Sequence, residues 1–116
     1  MTMEAQFRAL DEVELLEFFG VEPVARTAED GYWCYEISDA RGVTLRFSFD
    51  LFERSVQTAL SLGGSHIATV SHEGADRMLV REGKLRCEFS TAGEKTTLTI
   101  ETGRSLSVSW SSLRTE

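Results

Sequence analysis

Between residues 9 and 19 the apolar positions recur at helical spacing. Placed at about 100° per residue, Val13, Leu15, Leu16 and Phe19 gather on one side and Asp11, Glu14 and Glu17 on the other, with Glu12 falling toward the apolar side. Asp11 and Glu12 at the start suit the helix dipole, and Gly20 followed by Pro23 predicts the stop. The period then changes to two. In "GVTLRFSFD" Val43, Leu45, Phe47 and Phe49 face one way while Thr44, Arg46 and Ser48 face the other. The same alternation runs through "KLRCEFS" (Leu85, Cys87, Phe89), "TTLTIET" (Leu98, Ile100) and "SLSVSW" (Leu106, Val108, Trp110). "YWCYEIS" at 32–38 and "RMLVRE" at 77–82 read as further strands.

Short turn signals separate these runs: "DARG" at 39–42, "EGK" at 82–84, "TAGE" at 91–94 and "TGR" at 102–104. Connections this short join antiparallel neighbours, because a parallel crossover needs a dozen residues or more. One segment admits two readings. In "DLFERSVQTALSL", Asp50 and Glu53 have the spacing of a helix capping box, whereas Val56, Thr58, Leu60 and Leu62 alternate toward a two-residue "GG" loop at 63–64. The alternation favours a turn at 50–54 followed by a strand from 55. The predicted class is α+β: one N-terminal amphipathic helix packed on a curved, mostly antiparallel meander sheet or half-barrel of about seven or eight strands. At 116 residues, with one proline and no shift in composition, the chain reads as a single domain over 1–116.

Charge changes this picture from a generic sheet to one with a preferred class of partner. The net charge is −7, and residues 1–30 hold eight acids against Arg8 and Arg26, a balance of −6. The remaining residues are nearly neutral at −1, with eleven acids and ten bases. Acid concentrated in one quarter of the chain repels phosphate backbones, which argues against nucleic acid; it either attracts a basic protein surface or serves solubility alone. The apolar runs are too short to span a membrane as a helix, and the N-terminus lacks the basic-then-apolar pattern of a secretory signal, so the expected location is cytoplasmic. Cys34 and Cys87, without CxxC spacing and within strand-like runs, are expected as buried thiols; a disulfide is the lesser alternative.

Candidate chemistry is sparse. Both histidines lie in "SLGGSHIATVSHEG", residues 61–74. His66 and His72 would share a strand face, yet six residues at about 3.3 Å each separate them by roughly 20 Å, too far to chelate one metal ion. Ser71, His72 and Glu73 are sequence neighbours that point to alternate faces, whereas acid–base catalysis needs converging side chains. GxGxxG, Walker-type, HExxH and EF-hand patterns do not occur. No catalytic residue, metal ligand or cofactor is therefore expected. In "GYWCYE", Trp33 and Tyr35 share one face, opposite Tyr32 and Glu36; either they anchor the core or, in the reverse register, they offer aromatic area to a partner.

"GVTLRFSFDLFERSVQTALSLGGSHIATV" and the terminal "LSVSWSSL", within residues 30–113, resemble the small immunity proteins of bacterial polymorphic and contact-dependent toxin systems. The resemblance rests on strand rhythm and the "FSFD" run, so no contact residue carries over from it. It implies a cytosolic, non-catalytic protein that inhibits a cognate toxin by covering its active surface. From the residues themselves, Asp11, Glu14 and Glu17 are the expected contacts for a basic toxin surface, with Trp33 or Tyr35 as an aromatic anchor. Reversing the three acids to lysine is expected to slow association and leave folding intact. One alternative is a small-molecule-binding or enzymatic domain with its site between helix and sheet, for which His72, Glu73 and Glu36 would be the first residues to test. Another is a structural subunit that oligomerises through an exposed edge strand.

Overall fold

The computed structural model describes residues 6–91 and 93–114; Glu4 of the acidic segment and residue 92 of the "TAGE" turn lie outside this range. Among these residues a helix α1 (Glu12–Phe19) precedes nine strands. The first sheet contains β1 (Ala25–Thr27), β2 (Tyr32–Ser38), β3 (Val43–Asp50), β4 (Ser55–Leu62) and β5 (Ser65–Glu73), and the second β6 (Ala75–Arg81), β7 (Lys84–Thr91), β8 (Glu94–Glu101) and β9 (Ser107–Arg114). Within each sheet the strands follow chain order and every pairing is antiparallel. The expected α+β class and meander are therefore present.

The sheet count differs from expectation, and the reason is local. Instead of one curved sheet or half-barrel of seven or eight strands, the chain leaves β5 at Gly74 and opens a second sheet at Ala75. Gly74 has φ 81°, and a Cβ there would lie 3.0 Å from Thr91 Cγ2 and 3.1 Å from the Ser90 carbonyl. Only glycine admits both that conformation and that approach. On either side the crossing is pinned: Ser90 N–H donates to the Gly74 carbonyl at 3.1 Å, and Ala75 N–H to that of Arg54 at 2.9 Å. The strand missing from the sequence reading is β1, three residues long.

Segment 50–62 resolves as the alternation favoured. Asp50 Oδ1 accepts from the N–H groups of Phe52 and Glu53, both at 2.9 Å, closing a turn before β4 begins at Ser55. Arg54 (φ 53°) completes that turn and stitches it to the second sheet, its guanidinium donating to the Ala75 carbonyl at 3.0 Å and to Asp76 Oδ1 at 2.9 Å. At the other end, Asp39 in the β2–β3 turn accepts from the Leu106 N–H at 2.8 Å, fastening the approach to β9.

One core is shared by all three layers. Tyr35, Leu45, Phe47, Phe49 and Val56 come from the first sheet, Met78, Leu85, Cys87, Phe89, Leu98 and Ile100 from the second, and Leu15 and Phe19 from α1. The period-two apolar positions of β3, β7 and β8 are thus the buried ones. Phe19 stacks on Tyr35 with centroids 5.2 Å apart and leans on Phe47 at 5.6 Å. The predicted helix stripe is corrected here. Leu15 is 1% exposed, but Val13 and Leu16 are 65% and 42% exposed, and Phe18 packs against the core instead. An eight-residue helix buries only the positions that point at its neighbours, and its actual rotation favours Leu15, Phe18 and Phe19. Cys34 and Cys87 are both free and buried, as expected.

Candidate functional site

The sequence-predicted acids start the helix, and the structure gives two of them an internal task. Asp11 Oδ1 accepts from the Glu14 N–H at 2.8 Å, and Glu14 Oε1 accepts from the Asp11 N–H at 3.2 Å. This reciprocal capping box satisfies backbone donors that a helix start otherwise leaves unpaired. Both carboxylates remain exposed, so the cap does not withdraw them from a partner. The acids do not form one patch. Asp11 borders a groove toward the first sheet, whereas Glu14 and Glu17 border a separate hollow of about 360 Å3 with Phe18, Val80, Gly83 and Thr102.

The groove beside Asp11 has a volume of about 330 Å3. Ala9, Leu10, Leu15, Phe49 and Leu51 make it apolar, and Asp11, Glu12 and Trp33 complete its lining. Trp33 is held rigidly there. Its ring stacks on Phe49 with centroids 5.7 Å apart, and its indole N–H donates to Glu12 Oε1 at 2.7 Å. The same oxygen accepts from Arg26 Nη1 at 2.8 Å. These two hydrogen bonds, Trp33 foremost, hold the Glu12 carboxyl below its ordinary range, and the same pairing raises the Arg26 guanidinium. Glu12 was not a candidate from sequence, although its position on the apolar side of the helix was the available signal.

Tyr35 leaves the candidate set. It shares a strand face with Trp33, as the alternation requires, but it lies beneath Phe19 at 1% exposure and presents no surface to a partner. Burial, with Glu12 and Glu22 nearby, pushes its phenol up to about 12. Among the described residues its hydroxyl has no hydrogen-bond partner.

A second acidic locus escaped the sequence reading because its members are distant in the chain. Asp30, Asp50 and Glu53 line one open hollow of about 540 Å3 with Thr27, Tyr32 and Phe52. Phe52 is 70% exposed, a large aromatic area beside carboxylates. Antiparallel pairing of β2 with β3 places Tyr32 opposite Asp50 and so carries the 50–53 turn back to the acids at 29–30. The groove and this hollow flank the same end of β3, where Leu51 lines the first and Asp50 the second.

The residues of the alternative reading stay apart. Glu36 on β2 and His72 on β5 belong to strands with β3 and β4 between them. His72 is half-buried between the rings of Phe89 and Trp110, at 4.9 and 6.2 Å, with Nδ1 2.7 Å from the Glu73 carbonyl and Nε2 3.3 Å from Thr96 Oγ1. His66 is exposed, its Nε2 2.8 Å from Thr69 Oγ1. Among the described residues no three His, Cys, Asp or Glu side chains converge as metal ligands, and no helix is long and apolar enough to cross a membrane.

No family model and no curated protein sequence matches this chain. Among solved structures it is similar to a chain of the contact-dependent growth inhibition toxin–immunity protein complex from Klebsiella pneumoniae 342. The alignment covers 91% of this chain and 96% of that one, with a TM-score of 0.85 and 24% sequence identity. At that identity the likeness is one of fold, and it extends over nearly the whole of both chains.

Proposed function

We propose that this chain is the immunity protein of a contact-dependent growth inhibition toxin, acting in the cytoplasm by binding the toxin and covering its active surface. The observation that carries the reading is the fold shared with a chain of a toxin–immunity complex across 91% of the sequence. Charge supports the immunity role over the toxin role. A chain of net charge −7, with carboxylates gathered around the β3 end, complements a basic groove and repels a nucleic-acid substrate.

The contact surface in this reading is the β3 end. Phe52 supplies the desolvated anchor, Asp30 and Glu53 the charge around it, and the Trp33 rim of the neighbouring groove extends the area. Asp11, Glu14 and Glu17 steer the encounter from α1, and Asp11 also borders the groove directly.

The test is co-expression with the toxin-like product of the adjacent gene. The two proteins are expected to co-purify, and the chain to restore growth. Phe52→Ala is expected to speed dissociation at least tenfold, and Glu53→Lys to slow association most at low salt. Failure of the pair to associate, with the toxin folded and active, overturns the proposal. Normal binding by both variants leaves the immunity role standing and removes the β3 end as its surface.

A further inference from the structure

Strand β5 is the outer strand of the first sheet, and its nine residues contain no proline, lysine or arginine and only a terminal acid, Glu73. Residues 65–71 are all exposed, so no part of the second sheet covers them. Among the described residues two of the other three edges are guarded, and β9 is the remaining outer strand. β1 is three residues long, and β6 is covered by the strand-like segment at Arg8, whose N–H donates to the Asp76 carbonyl at 2.9 Å and whose carbonyl accepts from the Met78 N–H at 2.8 Å. A bare edge of this length, with Ile67 at 55% and Val70 at 39% exposure, is a template for strand addition.

The structure also limits which part of β5 can pair. Leu60 lies opposite Ala68 and Ser61 opposite His66, so Ile67 is the extra residue of a bulge. Bulges distort an edge and discourage pairing. The register is regular from Ala68 to Glu73, and short of the charged end at Glu73 its middle residue is Val70. We infer that β5 pairs antiparallel with the β5 of a second copy of this chain, about a twofold axis at Val70, joining two five-stranded sheets into one of ten. In this register Val70 meets its own mate, Ala68 faces the mate of His72, and Thr69 faces the mate of Ser71. Apolar Val70 and Ala68 lie on the same face, Val70 closing against its own mate and Ala68 against the mate of His72.

Self-complementarity is the reason for choosing a second copy as the occupant. The chain carries a net charge of −7, so most surfaces would bring acid against acid in a symmetric pair. Here no charged residue lies within 68–72, and Glu73 falls opposite residue 67 of the mate. The paired segment is short, so association is weak and concentration-dependent. The inference does not rest on the immunity reading.

Sedimentation equilibrium of the full chain over a range of concentrations tests it. The weight-average mass is expected to rise from one chain toward two, and Val70→Lys, which sets two like charges on the axis at an exposed position, is expected to hold it at one. Mild oxidation gives an independent readout. Directly opposed residues have Cα atoms about 4.5–5.5 Å apart, within disulfide reach. Val70→Cys is expected to cross-link to a covalent dimer, whereas Ala68→Cys, roughly 13 Å from its mate in this register, is not. Cys34 and Cys87 are buried and do not compete. A wild-type chain that stays monomeric, self-association unmoved by Val70→Lys, or equal cross-linking at 68 and 70 each overturns the inference. A monomer that instead loses toxin binding on Val70→Lys assigns the edge to the toxin's own strand.

Discussion

Replacing Asp11 with alanine, and separately with asparagine, divides the structural role of the helix start from its charge. Asp11 caps α1 through the 2.8 Å bond from the Glu14 N–H, and Glu14 returns a bond at 3.2 Å. The helix has eight residues, far fewer than an isolated helix needs, so its persistence depends on the cap and on Leu15 and Phe19 in the core. An N-cap aspartate replaced by alanine typically costs about 1 kcal/mol. For a chain of 116 residues that corresponds to a melting point lower by roughly 4 °C. Asparagine caps as well as aspartate, so Asp11→Asn is expected to keep wild-type stability while removing one charge. Urea melts followed by the fluorescence of Trp33 and Trp110 measure this, with midpoints shifted and slopes unchanged. The same reasoning corrects the sequence-based expectation for the triple lysine variant. It removes both halves of the capping box and sets positive charge at the helix N-terminus, at about 0.3–1 kcal/mol per charge, so it loses stability as well as any steering. An alanine variant as stable as wild type would refute the capping argument. An asparagine variant as unstable as the alanine one would show that charge, not hydrogen bonding, does the stabilising.

Other consequences are testable without the partner. Hydrogen bonds led by the Leu106 N–H, with Arg41 and Val43 adding to them, hold the Asp39 carboxyl at about 2, well under the ordinary aspartate value of 3.8. A depressed carboxylate stabilises the fold above its unfolded pKa, so that contribution is present above about pH 4 and fades as pH falls through about 2. Asp39→Ala should therefore be less stable than wild type at neutral pH, the gap narrowing between these limits; a gap independent of pH would contradict the linkage. Leu15→Ala is expected to cost about 3 kcal/mol, within the range for buried leucine, and a loss below about 1 kcal/mol, near a typical surface effect, would mean that α1 is not seated on the core. Cys34 and Cys87 are buried, and burial pushes the Cys87 thiol far up, so native-state labelling should be slow for both and complete after denaturation. Fast labelling at neutral pH would place either thiol near the surface.

The strands were legible because their signal is local. Side chains alternate along any extended chain, so Val43, Leu45, Phe47 and Phe49 declare a buried face without reference to the rest of the molecule. The same rule moved β4 to its true start at Ser55, and the two glycines at 63–64 marked the loop after it. What alternation cannot supply is the depth at which a face is covered. Trp33 and Tyr35 point the same way from β2, yet Phe19 stacks over one and the other lies at a groove rim. Nor does helical spacing fix a helix's rotation, which depends on neighbours folded from elsewhere in the chain. Thus Val13 was expected inside, and Phe18 took a place against the core.

The contact surface shows the same division. Charge counting finds the acidic quarter because charge is additive along a sequence. It misses Asp50 and Glu53, which join Asp30 only through the pairing of β2 with β3. Glu12 gave a trace of its role by sitting on the apolar side of the helix, but its partners Trp33 and Arg26 are 21 and 14 residues away. Gly74 carries no distinguishing local signal in the sequence; only folding brings Thr91 and Ser90 against it, where the meander divides into two sheets. Periodicity, turn chemistry and net charge depend on near neighbours or on none, and the bare sequence carries them. Burial depth, sheet number and the meeting of distant acids depend on which surfaces touch, and only the folded chain decides that.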